Sequence, residues 1–408
     1  MTSLRRNAAL LALALGGFAI GLTEFAAMGL LPQVAQDLLP EQYAHSPEQA
    51  IGQAGWLISA YALGVVAGAP AIAALSARLP RKRLVTMLLA WFVVGTAASA
   101  LAPTFELALA GRFLAGIPHG AYFGAAGLLA SRLLGPGSHA RGFSLVIAGL
   151  TVANVVGVPA ITFLGQISNW RVANLAVSAA FALTLAAVLA LVPEVGGSGP
   201  ASPRAELASL RSGQVWLVAL IASVGFAGFL AVYTYAAPVT TVVAGLSEST
   251  VPWVLATAGV GMTVGNVLGG VAADRNLRLS LIGGFTAVLA AGAFFWVVAR
   301  TPLGLFAGIF LVGATSMFLS PALQARLIQV APGAQLMGAA VSQSAMNVAN
   351  SLGAWLGGLV IAQGLGYLSP AVVGIALAAL GLALTVVNLR RPVERADQAV
   401  VVAGAPAV

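Results

Sequence analysis

The sequence predicts an all-α integral membrane protein, with twelve transmembrane helices arranged as two parallel six-helix repeats. Three observations predict it. Hydrophobic residues fill 60% of the 408 positions and charged residues only 7%, whereas a soluble domain carries about 25% charge. The mean hydropathy is +0.97. Apolar runs of about 20 residues, enough to cross a bilayer as a helix, recur twelve times, and the second six echo the first six.

The runs lie near 8–31, 51–75, 84–102, 108–130, 142–165, 173–193, 214–237, 251–273, 280–298, 303–325, 336–362 and 371–389. They are helices because lipid offers no partner for backbone N–H and C=O groups. A barrel needs short alternating segments, and these runs are apolar on all faces. The first run follows Arg5 and Arg6, as in a signal peptide. It exceeds the roughly 7–15 residues of a signal's apolar region and contains Glu24, so it reads as a retained helix 1.

Lys and Arg set the orientation. With the N-terminus inside, the inner loops hold Arg5, Arg6, Arg78, Arg81, Lys82, Arg83, Arg132, Arg141, Arg204, Arg211, Arg275, Arg278, Arg326, Arg390, Arg391 and Arg395. The outer loops hold Arg171 and Arg300, and Arg112 lies within a run. Both termini are therefore expected in the cytoplasm of a cell with this protein in its inner membrane. The net charge of +8 follows from this bias and suits an anionic inner leaflet, without nucleic acid as a partner. There is no cysteine, hence no disulfide or thiolate chemistry, and His45, His119 and His139 are scattered, so no metal is expected.

Trp56, Gly64, Gly68 and Arg78 recur as Trp253, Gly261, Gly265 and Arg275, each at an offset of 197. Val152-Ala153-Asn154 with Gly157 recurs as Val348-Ala349-Asn350 with Gly353, at an offset of 196. Helix 2 thus matches helix 8, and helix 5 matches helix 11, in parallel repeats. The expected organisation is a bundle over 1–193, a cytoplasmic linker over 194–213 rich in Gly, Ser and Pro, a second bundle over 214–391, and a disordered cytoplasmic tail over 392–408.

Two such bundles related by an axis along the membrane normal form a secondary transporter, with its site between the halves near the midplane. Further residues carry a family resemblance. These are Leu22-Thr23-Glu24-Phe25, Gly68-Ala69-Pro70 through Arg78-Leu79-Pro80-Arg81-Lys82-Arg83, Gly111-Arg112-Phe113 through His119-Gly120, Leu150 through Asn154 with Gly157-Val158-Pro159, and Asn169-Trp170-Arg171. The chain resembles the twelve-helix drug:proton antiporters of the major facilitator superfamily, in the branch of arabinose-efflux-like and chloramphenicol-resistance-like permeases. The resemblance implies the major facilitator fold and a proton gradient as the energy source, with no cofactor.

Glu24 is the first candidate for chemistry. An ionised carboxylate in a bilayer helix costs roughly 2.5–3.5 kcal/mol on insertion scales, and a group that switches between charged and neutral is what proton coupling requires. Family resemblance ties a helix 1 acid at this place to proton or cation binding and the helix 4 arginine, here Arg112, to proton transfer. Counted from the helix ends, Glu24 and Arg112 differ in depth by only about 5 Å, so a pair across the cavity is expected. His119, seven residues after Arg112, lies on nearly the same face. The opposing readings are a structural salt bridge, a snorkelling arginine and a satisfied neutral histidine.

Phe25, Asn154, Tyr233, Tyr235, Asn266, Ser320, Gln343, Asn347 and Asn350 bring aromatic, hydroxyl and amide groups into the spans. They are candidates for a cavity taking a moderately polar organic molecule, or for interhelical glue. Arg78, Asp274 and Arg275 are candidates for a cytoplasmic gate; the family's loop motif has an acid and a glycine where this chain has Ala77 and Pro80. Gly149, Gly157, Pro159 and Gly165 in helix 5 permit close packing and a kink, and resemble the antiporter glycine-proline motif. The expected function is proton-coupled export of a drug or sugar-like molecule by a monomer. Uptake by proton symport is the alternative. An enzyme would need a nucleophile–base pair or metal cluster in the spans, and a channel would need a charged ring or filter loop. The sequence offers neither.

Overall fold

A computed structural model describes residues 3–75, 79–135, 138–194, 212–330 and 335–390. Arg78, most of the 194–213 linker and the 392–408 tail lie outside the described residues. Among the described residues there is no strand. Twelve helices are long and apolar enough to span a membrane. They are α1 (Ser3–Gly29), α2 (Pro47–Ala69), α3 (Arg81–Leu101), α4 (Phe105–Leu134), α5 (Arg141–Ile167), α6 (Trp170–Leu191), α7 (Gly213–Thr234), α8 (Glu248–Arg275), α9 (Leu277–Val298), α10 (Pro302–Gln329), α11 (Val341–Ala362) and α12 (Ser369–Arg390).

Local chemistry explains the tight connections. Thr104, Asn169, Asn276 and Thr301 each accept a backbone N–H from the first turn that follows, starting α4, α6, α9 and α10 after connections of one to three residues. α1 begins at Ser3 instead of near residue 8, because Arg5 and Arg6 extend the helix on its exposed end. It ends at Gly29, one residue before the segment that carries Pro32 at a new helix start. The connection to α2 is not a plain loop. Leu31–Leu38 buries Leu31, Val34, Ala35 and Leu38 at i, i+3, i+4 and i+7. A further short helix, Pro40–His45, and the opening turns of α2, Pro47–Ala54, complete a cap on that face.

The assignments of basic residues to loops are corrected: Arg5, Arg6, Arg81, Lys82, Arg83, Arg132, Arg141, Arg171, Arg275, Arg278, Arg326 and Arg390 lie within the end turns of helices. Arg132 lies inside α4, and Arg326 lies inside α10, only 6% exposed. Both helices continue past the apolar stretch because the backbone stays hydrogen-bonded beyond the hydrocarbon. Arg326 is satisfied locally, donating to Asn388 Oδ1 at 2.9 Å and Gln329 Oε1 at 2.7 Å.

Each pairing within the first half recurs six helices later. α1 packs on α5 and α6, α2 on α4, and α3 on α4 and α6. In the same way α7 packs on α11 and α12, α8 on α10, and α9 on α10 and α12. The halves meet where α2 packs on α11 and α5 on α8. Exposed Trp91, Leu183, Trp296 and Leu380 mark the outer helices α3, α6, α9 and α12 as the lipid-facing ones.

The two faces of the molecule differ. On the face opposite the chain ends, here the distal face, one hydrophobic cluster runs through both halves. It joins Met28, Leu31, Ile51, Ile58 and Val158 to Phe226, Tyr235, Val254, Leu255 and Ile361. Toward the face that bears the chain ends, each half has its own core, one drawn from α1, α3, α4, α5 and α6 and one from α7, α9, α10, α11 and α12. The protein is therefore sealed on the distal face, and among the described residues the apolar cores of the two halves stay distinct on the other.

The distal seal is made backbone to backbone. A β-carbon on Gly52 would lie 2.6 Å from Gly358 O across the α2–α11 seam, and one on Gly259 of α8 would overlap Asn154 O of α5. Inside the first half, a β-carbon on Gly149 would overlap Ala14 O of α1, and ones on Gly157 and Gly165 would overlap Leu22 and Leu30. The irregularity expected in α5 is a π turn over Ala153–Gly157, directly before Pro159. It follows from proline's missing donor and from the crowding of its ring on the preceding turn.

Candidate functional site

A buried polar network sits where the halves meet, about five residues below the distal end of α1 at Gly29. Glu24 is 8% exposed and Arg112 is 5% exposed. They do not form the expected ion pair; between described residues the ion pair is that of Arg171 with Asp37. Arg112 is held otherwise. Its Nη1 donates to Thr23 O at 2.8 Å and Thr23 Oγ1 at 3.1 Å, and its Nε donates to Leu57 O at 3.5 Å. Its guanidinium lies 4.4 Å from the centre of the Tyr61 ring. The planar cation thus rests on an aromatic face and on α1 backbone, which draws it off the carboxylate.

His119 joins this network through Tyr61. Its Nδ1 lies 3.0 Å from Tyr61 Oη. A break in α4 at Ile117-Pro118 re-aims the helix, which restarts at His119. Tyr61 and Thr23 are the members of the network that sequence reasoning missed. The available signal was a lone hydroxyl in an apolar span, which must find a partner when buried.

Glu24 instead meets the other half. Asn350 Nδ2 of α11 donates to Glu24 Oε1 at 3.2 Å, linking residues 326 apart in the chain. Next to it, Phe25 packs edge-on against Tyr233 of α7 with centroids 5.9 Å apart, and Tyr233 stacks on Phe229 at 5.3 Å. Two more hydrogen bonds cross between halves, Ser59 Oγ to Ser351 O at 3.0 Å and Gln166 Nε2 to Glu248 O at 2.7 Å.

Several polar atoms at this junction are buried and have no partner. They are Asn350 Oδ1, Asn347 Oδ1, Asn154 Oδ1, Tyr233 Oη and Arg112 Nη2. Each unmade bond costs about 1–3 kcal/mol. Such a concentration is chemically suited to a bound organic molecule with donors and acceptors of its own.

The other sequence candidates fall elsewhere. Tyr235 is fully buried in the distal seal, donating to Ala354 O at 2.7 Å and lying against Gly55 and Gly357. Ser320 points at Met346 Sδ, 3.9 Å away, between α10 and α11. Gln343 is half-buried one turn before Asn347, whose Nδ2 donates to Gln343 O at 3.0 Å. Asn266 is exposed on α8. Asp274 and Arg275 are exposed at the end of α8 on the face of the chain ends, and Arg78 lies outside the described residues.

The sequence profile of the Major Facilitator Superfamily matches residues 13–247 and 232–406. The inner membrane transport protein YdhP of Escherichia coli (strain K12) is 34% identical over 388 residues, covering 95% of this chain and 97% of that one. A chloramphenicol resistance protein of Streptomyces lividans is 30% identical over 359 residues, covering 87% of this chain and 88% of that one. 

Among solved structures, a bacterial homologue of the human lysosomal transporter Spinster superposes with a TM-score of 0.71 at 17% identity, covering 96% of this chain and 98% of that one. That likeness concerns the fold alone. With two profile matches that span nearly the whole chain, and a relative 34% identical over 97% of its length, the chain belongs to the Major Facilitator Superfamily and is a multi-pass membrane transporter.

Proposed function

We propose that the protein is a proton-coupled exporter of small organic molecules that works by alternating access, with Glu24 as its proton site. One observation carries this reading. Glu24 is a carboxylate buried at the junction of the halves, without a cation in ion-pair contact, and bonded to the opposite half. A carboxyl in that position changes charge when it takes or loses a proton, and both halves feel the change.

The arginine bias makes the face of the chain ends cytoplasmic, so the sealed distal face is the outer one. Arg112 serves Glu24 from the first half. Its Nη2 is buried and unpartnered, a donor suited to a carboxylate that has lost its proton. Substrate lies against Phe25 and Tyr233, with Asn154, Asn347 and Asn350 as hydrogen-bonding groups. Its class is that of a drug or sugar-like molecule, in keeping with the chloramphenicol resistance named for one relative. Asp274 and Arg275 act at the cytoplasmic gate. With proton and substrate bound at the one junction, affinity differences of about 1–3 kcal/mol suffice for exchange. The energy comes from the proton gradient, with no cofactor, and a monomer contains the complete pathway.

Everted membrane vesicles test this reading. They are energised, and a panel of phenicol-like drugs, dyes and pentoses is added while the pH gradient is followed. The expected result is collapse of the gradient by some compound with the natural protein and none with Glu24→Gln. Collapse in both removes Glu24 from the mechanism. Substrate accumulation driven in the opposite sense replaces export with symport.

A further inference from the structure

We propose that Asn350 is the positioning residue through which the second half senses the proton on Glu24. This deepens the reading of Glu24 as the proton site and rests on it. The argument begins with the two ends of one amide. Asn350 Nδ2 donates to Glu24 Oε1, whereas Asn350 Oδ1 is buried and has no partner. An ionised carboxylate only accepts hydrogen bonds, so it can satisfy the N–H end of the amide but never the oxygen.

One added proton changes this. Protonated Glu24 gains an O–H that donates to Asn350 Oδ1, while its carbonyl oxygen still accepts from Nδ2. The acid and the amide then close a ring of two hydrogen bonds, and the orphaned oxygen is satisfied. Because α1 and α11 belong to different halves, that ring holds the distal seal shut. When the proton leaves, one bond of the ring is lost and Asn350 Oδ1 is orphaned again. The charged carboxylate then has a better partner in its own half, the unpartnered Nη2 of Arg112. Neutral Glu24 thus ties the halves together, and ionised Glu24 lets them part.

The groups around Glu24 agree with this assignment. Arg112 and His119 come from α4, Tyr61 from α2 and Tyr233 from α7, while α5 and α11 present only the amides Asn154, Asn347 and Asn350. The second half has no charge here, so its response to the proton must pass through a neutral group that can both donate and accept. Among those amides, Asn350 is the one in hydrogen-bond contact with Glu24.

The chain has no native cysteine, which allows site-specific spin labels. Glu106 and Leu303 are exposed, one at the distal start of α4 and the other at that of α10. Labels at Glu106→Cys and Leu303→Cys report the opening of the distal face in lipid nanodiscs. In the otherwise natural protein, the closed fraction should be larger at acid pH than at alkaline pH, with a change of about tenfold in the closed-to-open ratio, the size that one buried hydrogen bond gives. Glu24→Gln should stay closed at both, because its amide both donates and accepts as the protonated acid does. Asn350→Leu should respond to pH less than threefold, and Asn350→Ala, which likewise has no donor or acceptor to close the ring, should do the same if the leucine variant fails to fold.

The outcomes separate. A full pH response in the Asn350 variants, with none in Glu24→Gln, overturns the role of Asn350 and leaves Glu24 as the proton site. A full response in Glu24→Gln overturns the reading of Glu24 itself. The absence of any pH response in the natural residues at both positions overturns the latch, and export is then judged on vesicle transport alone.

Discussion

The two halves share helix order and pairing, yet only one holds buried charge at the centre. Tyr61, Arg112 and His119 stand at an offset of 197 from Ala258, Ile309 and Ser316. In helix 1, Gly17-Phe18-Ala19 recurs as Gly225-Phe226-Ala227, which sets Glu24 opposite Val232. All four second-half residues are buried. The six-helix unit therefore packs with ordinary side chains at each position where the first half spends buried polar groups. Packing does not call for Glu24 and Arg112, and the proposed proton coupling does.

The largest expected effect comes from forcing the second half to resemble the first. Ile309→Arg places a guanidinium in a core that lacks the equivalents of Thr23, Tyr61 and Glu24. An uncompensated buried charge costs about 3 kcal/mol or more, so thermal unfolding followed by size exclusion in detergent should show loss of folded protein. The converse, Arg112→Ile, should keep or raise the melting temperature while transport driven by a pH gradient falls to background. If Arg112→Ile unfolds the protein instead, the charge is structural and the contrast between the halves loses its meaning.

A smaller effect tests the seam. Gly358 and Gly52 bring the α2 and α11 backbones together, and a valine at 358 would press on Gly52 O and the Tyr235 hydroxyl. Gly358→Val should hold the distal face open and lower turnover by about tenfold, the effect of roughly 1.4 kcal/mol. A thiol probe at Ala54→Cys, fully buried in the seal, should then react from outside. Unchanged reactivity would mean that the seam yields without opening.

Much of this was legible in the sequence, for a physical reason. Hydropathy is a local property, so twelve spans and their repeat could be read directly. Glu24 and Arg112 stood out because charge is rare in lipid. The short helix Leu31–Leu38 was also legible, from its i, i+3, i+4, i+7 apolar pattern, yet it reads as a loop when only long runs are sought. Tyr61 and Thr23 carry a weaker signal, a lone hydroxyl that must find a partner when buried, and nothing in it names that partner. The bond between Glu24 and Asn350 joins positions 326 apart, and only the packing of one half on the other decides it. The same holds for Tyr235, which in sequence equals any cavity aromatic and in the fold belongs to the seal.

The smallest expected effect contrasts the buried carboxylate with an exposed one. Asp37 Oδ2 accepts Trp170 Nε1 at 2.8 Å and meets Arg171 at 3.0 Å, while Arg171 also donates to Ala100 O and Ala102 O. The side chains of Arg171 and Asp37 are 29% and 47% exposed, so the pair is screened and contributes less than about 1 kcal/mol. The second half has Leu368 at the place of Arg171 and closes its corner without an ion pair. Asp37→Asn keeps an oxygen for Trp170, and should change the melting temperature slightly and leave gradient-driven transport intact. Loss of coupling in Asp37→Asn, measured in the same vesicles as Glu24→Gln, would move the proton site from the junction of the halves to the distal corner. Because Asp37 is open to solvent and bonded wholly within the first half, a proton there would have no contact through which to reach the second.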